Sequence, residues 1–89
     1  MTETRQSLLE FPCSFPLKVI GKNVEAFELE VMGVMLKYLA DATPTHCTRR
    51  LSAGEKYLAL TISFMAESQE QLDAIYQDLS RLELVLYTL

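Results

Sequence analysis

From Cys13 to Gly21 the side chains alternate, with Phe15, Leu17 and Val19 falling on one face of an extended segment and Lys18 and Ile20 on the other. That period of two predicts a strand with one buried side. Gly21 then permits a turn, Asn23 is placed to cap backbone amides, and a helix is predicted from about Val24 to Leu39. Asp41, Thr43 and Pro44 end it. Thr45 to Leu51 is polar for a strand and suits a partly exposed edge, and Ser52 to Lys56 supplies a turn containing Gly54. Tyr57 to Ala66 carries the strongest alternation, with Leu58, Leu60, Ile62 and Phe64 pointing one way and Tyr57, Ala59, Thr61 and Ser63 the other. Ser68 and Gln71 have the spacing of a capping box, opening a second helix striped by Leu72, Ile75, Tyr76 and Leu79. In Leu82 to Leu89, Leu84 and Leu86 alternate with Val85 and Tyr87, which predicts a last strand.

The order strand, helix, strand, strand, helix, strand predicts an α+β fold, a ferredoxin-like βαββαβ two-layer sandwich made of two interleaved split βαβ units. Strands one and three are expected at the centre of a four-stranded antiparallel sheet, with two and four at its edges. Both helices would cover one face and leave the other to water or a partner. The pattern fills residues 11–89 as one domain and leaves 1–10 as an N-terminal arm; 89 residues support one core and not two.

The first helix is unlike the second. At about 100° per residue, Val24, Phe27, Val31, Val34 and Tyr38 form the expected core stripe, and Leu29, Met32 and Leu36 fall almost opposite. An outer apolar stripe on a peripheral helix marks a candidate interface, for self-association or for a protein partner, unless scattered surface residues and the arm carrying Leu8, Leu9 and Phe11 account for it.

Composition narrows the function. Eight basic against twelve acidic residues give a net charge of −4, which argues against nucleic acid. Arg49, Arg50 and Lys56 form the one basic cluster, with Tyr57 beside it, but the positions that follow on that face are Ala59, Thr61 and Ser63 rather than base-stacking aromatics. Glu28, Glu30 and Lys37 interrupt the longest apolar run, so no membrane span is expected, and the N-terminus lacks the order of a secretory signal; the expected location is the cytoplasm. Cys13 and Cys47, with His46 adjacent to the latter, make neither a disulfide framework nor a metal site, and no cofactor is implied. Ser14 and Ser63 lack an activating base, and Glu67, Glu70, Asp73 and Asp78 suit a helix start and an exposed flank, so no catalytic residue is assigned and the chain is not read as an enzyme. The turn Gly21, Lys22 and Asn23 is the candidate ligand site: free amides at a helix start beside an ammonium could hold a carboxylate or phosphate, although an ordinary strand exit and cap would look the same.

Three stretches, residues 9–21 (Leu-Glu-Phe-Pro-Cys-Ser-Phe-Pro-Leu-Lys-Val-Ile-Gly), residues 50–61 and residues 70–76 (Glu-Gln-Leu-Asp-Ala-Ile-Tyr), resemble the YbeD-like family of small bacterial proteins of unknown function. The resemblance implies a ferredoxin-like fold similar to the ACT domains, which bind amino acids and regulate metabolic enzymes, often in pairs. It implies a ligand near Gly21, Lys22 and Asn23 at a subunit interface, and no established activity. The resulting expectation is a non-catalytic regulatory or small-ligand-sensing module that acts as a homodimer and takes a small carboxylate or amino acid. The alternative is a protein-interaction adaptor without a small ligand, and RNA binding ranks last.

Overall fold

Four strands and two helices follow one another as β1 (Cys13–Lys22), α1 (Glu25–Tyr38), β2 (Thr45–Leu51), β3 (Tyr57–Ala66), α2 (Gln69–Ser80) and β4 (Val85–Thr88) in the computed structural model, which describes residues 10–39 and 45–89. The arm before residue 10, and the helix terminators Asp41, Thr43 and Pro44, lie outside the described residues. The sheet order is β2-β3-β1-β4 with every neighbouring pair antiparallel, so β1 and β3 are central as the sequence predicts. Their pairing is unbroken from Cys13 opposite Ala66 to Lys22 opposite Tyr57.

Alternation sorts the two faces. Leu17 and Val19 of β1 and Leu58, Leu60, Ile62, Phe64 and Ala66 of β3 meet Phe27, Val31 and Met35 of α1 and Leu72, Ile75 and Leu79 of α2 in one buried cluster. Each fully buried side chain of this size contributes about 1.5–3 kcal/mol of apolar transfer, so the cluster is what holds both helices to the sheet. The half-buried Phe15 meets Phe64 edge to face at 6.3 Å between ring centres.

Three expectations change. Helix α1 starts one residue later than predicted: Val24 is its extended N-cap, with no side-chain cap bond, and is 46% exposed instead of in the core. Met35, absent from the expected stripe, is fully buried in its place. Asn23 does not cap the helix: Val24 holds the N-cap position, and the Asn23 side-chain Nδ2 donates across to the Glu55 carbonyl at 2.9 Å. In the edge strand β4, which is shorter than predicted, the register against β1 shifts between Ile20 and Gly21, so the simple alternation of Leu84 and Leu86 against Val85 and Tyr87 fails. Leu84 and Val85 pack against the core, whereas Leu86 and Tyr87 are both exposed.

Helix α2 opens as its sequence predicts. Ser68 Oγ accepts from the Gln71 amide at 3.1 Å. The Gln71 side chain reaches back to accept from the Glu67 amide at 2.8 Å, one residue ahead of the N-cap, and donates through Nε2 to the Tyr38 carbonyl at 3.1 Å. One side chain therefore ties the start of α2 to the end of α1.

Candidate functional site

The predicted ligand turn is built differently from an open amide cradle. Gly21 is buried, and a Cβ there would collide with the Phe27 ring and the Leu84 carbonyl oxygen, so this glycine serves a close approach of strand, helix and loop. Lys22 is the last residue of β1; its amide donates to the Leu84 carbonyl at 3.1 Å, and its side chain is exposed. The Asn23 amide donates to the Lys56 carbonyl at 3.1 Å, and that of Val24 to the Lys22 carbonyl at 2.9 Å. These amides already have carbonyl partners.

Of the three, Asn23 borders a hollow. It lies on the flank between α1 and the edge strand β2, has a volume of about 390 Å³, and is lined by Asn23, Glu28, Leu29, Met32, Arg49 and Leu58 among others. The predicted ligand turn and the predicted interface stripe thus meet here through Asn23, Leu29 and Met32. Leu29 and Leu36 are 66% and 72% exposed, as expected of an outer stripe. Met32 departs from that expectation, being half-buried against the core because it sits at the margin of α1 that leans on the sheet. Arg49 Nε and Glu28 Oε1 form an ion pair at 3.2 Å across the hollow, and both side chains retain access to water. Such a pair is worth about 0–1 kcal/mol, so exchanging it for a charged ligand costs little.

Adjacency in the sequence groups Arg49 with Arg50. Their places in β2 separate them: Arg49 stands opposite Leu60, on the helix side of the sheet, and Arg50 opposite Ala59, on the open side. Strand alternation carried that signal. The neighbouring Cys47 thiol is pushed up from its ordinary value, first by burial and then by the charge of Glu28.

Asp78 gathers more polar partners than the exposed flank predicted for it. Its Oδ2 accepts from the Tyr38 hydroxyl at 2.7 Å and meets Lys37 Nζ at 2.7 Å, while its Oδ1 meets Arg81 at 3.1 Å. The hydrogen bonds from Lys37 and Tyr38 hold the carboxyl below the usual range, and the same contact raises Lys37 and Tyr38. These groups bridge the end of α1 to α2, so the cluster is a helix clamp. Among the described residues no group of three His, Cys, Asp or Glu could hold a metal ion, and no helix is long and apolar enough to cross a membrane.

Residues 6–89 match the family described as "Protein of unknown function (DUF493)". The chain belongs to the DUF493 family. Among its relatives, the UPF0250 protein NMB1218 of Neisseria meningitidis serogroup B is 42% identical over 87 residues, covering 96% of each chain. The UPF0250 protein NE1487 of Nitrosomonas europaea is 40% identical over 76 residues, covering 85% of this chain and 87% of the relative. The resemblance to small YbeD-like bacterial proteins therefore holds along nearly the whole chain. Solved structures share the fold. The solution structure of protein HP0495 from H. pylori aligns with a TM-score of 0.74 at 20% identity, over 91% of this chain and 85% of that one. The ACT domain from GTP pyrophosphokinase of Chlorobium tepidum aligns with a TM-score of 0.65 at 14% identity, over 85% of this chain and 94% of that one. This chain thus shares its βαββαβ architecture with an ACT domain.

Proposed function

We propose that this DUF493 protein is a non-catalytic regulatory module that senses a small amino acid or related carboxylate and acts by pairing with a second copy. The observation that carries this reading is the flank hollow between α1 and β2, where Arg49 and Glu28 face each other beside Leu29, Met32 and Leu58. An amino acid offers a carboxylate to Arg49, an ammonium to Glu28 and a side chain to the apolar wall. Its charges replace a solvent-exposed pair of low intrinsic value. A second copy laid on the exposed Leu29 and Leu36 would close the hollow and withdraw it from water, strengthening those charge contacts.

A thermal-shift screen over the amino acids, run with light scattering, tests the reading. Stabilisation by a particular amino acid, lost in Arg49→Gln, and a dimer mass that falls to the monomer in Leu29→Glu, are the expected results. No stabilisation by any of them, with a monomer mass throughout, rejects it.

The adaptor reading has its own support. Strand β2 is a seven-residue edge strand with most side chains exposed, a form that accepts an extended segment of another protein by strand addition.

A further inference from the structure

The side of the sheet away from the helices changes character along its length. Toward one end its central and edge positions are polar: Thr48, Thr61 and Lys18 stand in one cross-strand row. The next open-face row runs Arg50, Ala59, Ile20, Tyr87, one residue from each of the four strands. Here the face is apolar and concave. A hollow of about 480 Å³ is lined by Ile20, Arg50, Tyr57, Ala59, Leu86 and Tyr87, a size within the range of small-molecule sites.

Three features shape it. The register shift between Ile20 and Gly21 leaves Leu86 as an extra residue in β4, and Leu86 and Tyr87 both contribute to the open side. Tyr57, one open-face position along β3 from Ala59, and Tyr87 on β4 stand with β1 between them, about 12 Å apart on the diagonal of two strand spacings and two residues of rise, and rise as walls over a low floor of Ala59 and Ile20. Tyr38 and Tyr76 donate their hydroxyls within the fold, but Tyr57 and Tyr87 make no hydrogen bond through theirs among the described residues.

Charge then selects the occupant. Arg50 closes one end of the row, and Lys22 stands opposite Tyr57 on the same face; neither has an ion-pair partner among the described residues, and no Asp or Glu lines the hollow. In a protein of net charge −4 this is a local cationic rim on an apolar floor. We infer that the open sheet face is a second binding site, separate from the α1–β2 flank, for a small organic carboxylate whose apolar body lies across Ala59 and Ile20 between the two tyrosines with its carboxylate at Arg50. The row from Arg50 to Tyr87 is about 14 Å long at three strand spacings, which accommodates one ring and a short chain and is short for a polymer footprint.

The test uses the full ¹⁵N-labelled chain, 3-phenylpropionate as probe and 3-phenylpropionamide as its uncharged match. The acid is expected to perturb the amide signals of Ile20, Ala59, Leu86 and Tyr87 at millimolar concentration and to bind at least about fivefold tighter than the amide. That preference should fall to within about twofold in Arg50→Gln, and Ala59→Leu, an open-face change that raises the floor, should abolish binding of both; signal dispersion reports that each variant is folded. The inference is overturned by an absence of perturbation, by perturbation confined to Asn23 and Leu29 on the flank, or by an acid preference that persists in Arg50→Gln. It is equally overturned if an oligouridylate occupies these signals and the acid does not. Because the flank and the open face involve different residues, failure of either leaves the other standing.

Discussion

The edge of the Phe27 ring lies in the space that a side chain on Gly21 would need, with ring atom Cδ1 2.6 Å from the position of a Cβ. On the other side stands the Leu84 carbonyl, a backbone atom that accepts from the Lys22 amide and cannot turn aside. Gly21→Ala should therefore destabilise the fold by about 3 kcal/mol through overpacking, measured as the urea midpoint at constant slope. A loss below about 0.5 kcal/mol would show that strand and helix separate easily here.

Gly33 presents the opposite case. It lies in α1, exposed, with nothing within 4 Å of where a Cβ would stand. Gly33→Ala should stabilise the monomer by about 0.5–1 kcal/mol from helix propensity alone. It sits between Leu29 and Leu36 on the outer face, so if a second copy covers that face the same change weakens the dimer. Thermal unfolding at two protein concentrations distinguishes these effects, and unchanged stability in both sinks the argument.

The helix clamp makes a prediction about pH. Asp78 has a folded pKa below its ordinary 3.8, so its contribution is complete above that value and is lost as pH falls through the lowered one. Tyr38 and Lys37 are raised above 10.0 and 10.5, so their contribution is complete below those values and is lost as pH rises through the raised ones. Asp78→Asn should flatten the stability profile at both extremes while leaving its middle nearly level. Profiles of equal steepness for the variant and the natural chain would contradict the assignment.

The turn between β2 and β3 holds two successive left-handed residues, Gly54 at φ 83° and Glu55 at φ 59°. Glycine tolerates this and glutamate does not, at a cost of about 1 kcal/mol. Glu55→Asn should recover part of it and raise the melting temperature by a few degrees, since asparagine adopts this region readily. An unchanged or lower melting temperature would count against stored strain at Glu55.

What could be read from the residues follows how strongly each segment commits to one face. Strand β3 has one solution for its apolar set, and the observed register agrees. The capping residues of α2 likewise admit one start. Helix α1 is apolar on several sides, so two stripes compete, and its later start removes Val24 from the core and brings in Met35. The amides of the Gly21 to Asn23 turn look open in the sequence because free and occupied amides read alike there: only the loops carrying Leu84 and Lys56, distant along the chain, supply their carbonyl partners. The open-face hollow depends on the extra residue in β4, and no local sequence signal distinguishes that shift from plain alternation.

The strand order has one more consequence. Divide the chain at the turn after β2, and one fragment holds β1 and β2, the other β3 and β4. Every ladder in the sheet, β2 with β3, β1 with β3 and β1 with β4, joins a strand of one fragment to a strand of the other. Among the described residues neither fragment contains two hydrogen-bonded strands of its own, so each alone has no such sheet to nucleate on. The four-stranded sheet can therefore form only when the two fragments complement each other.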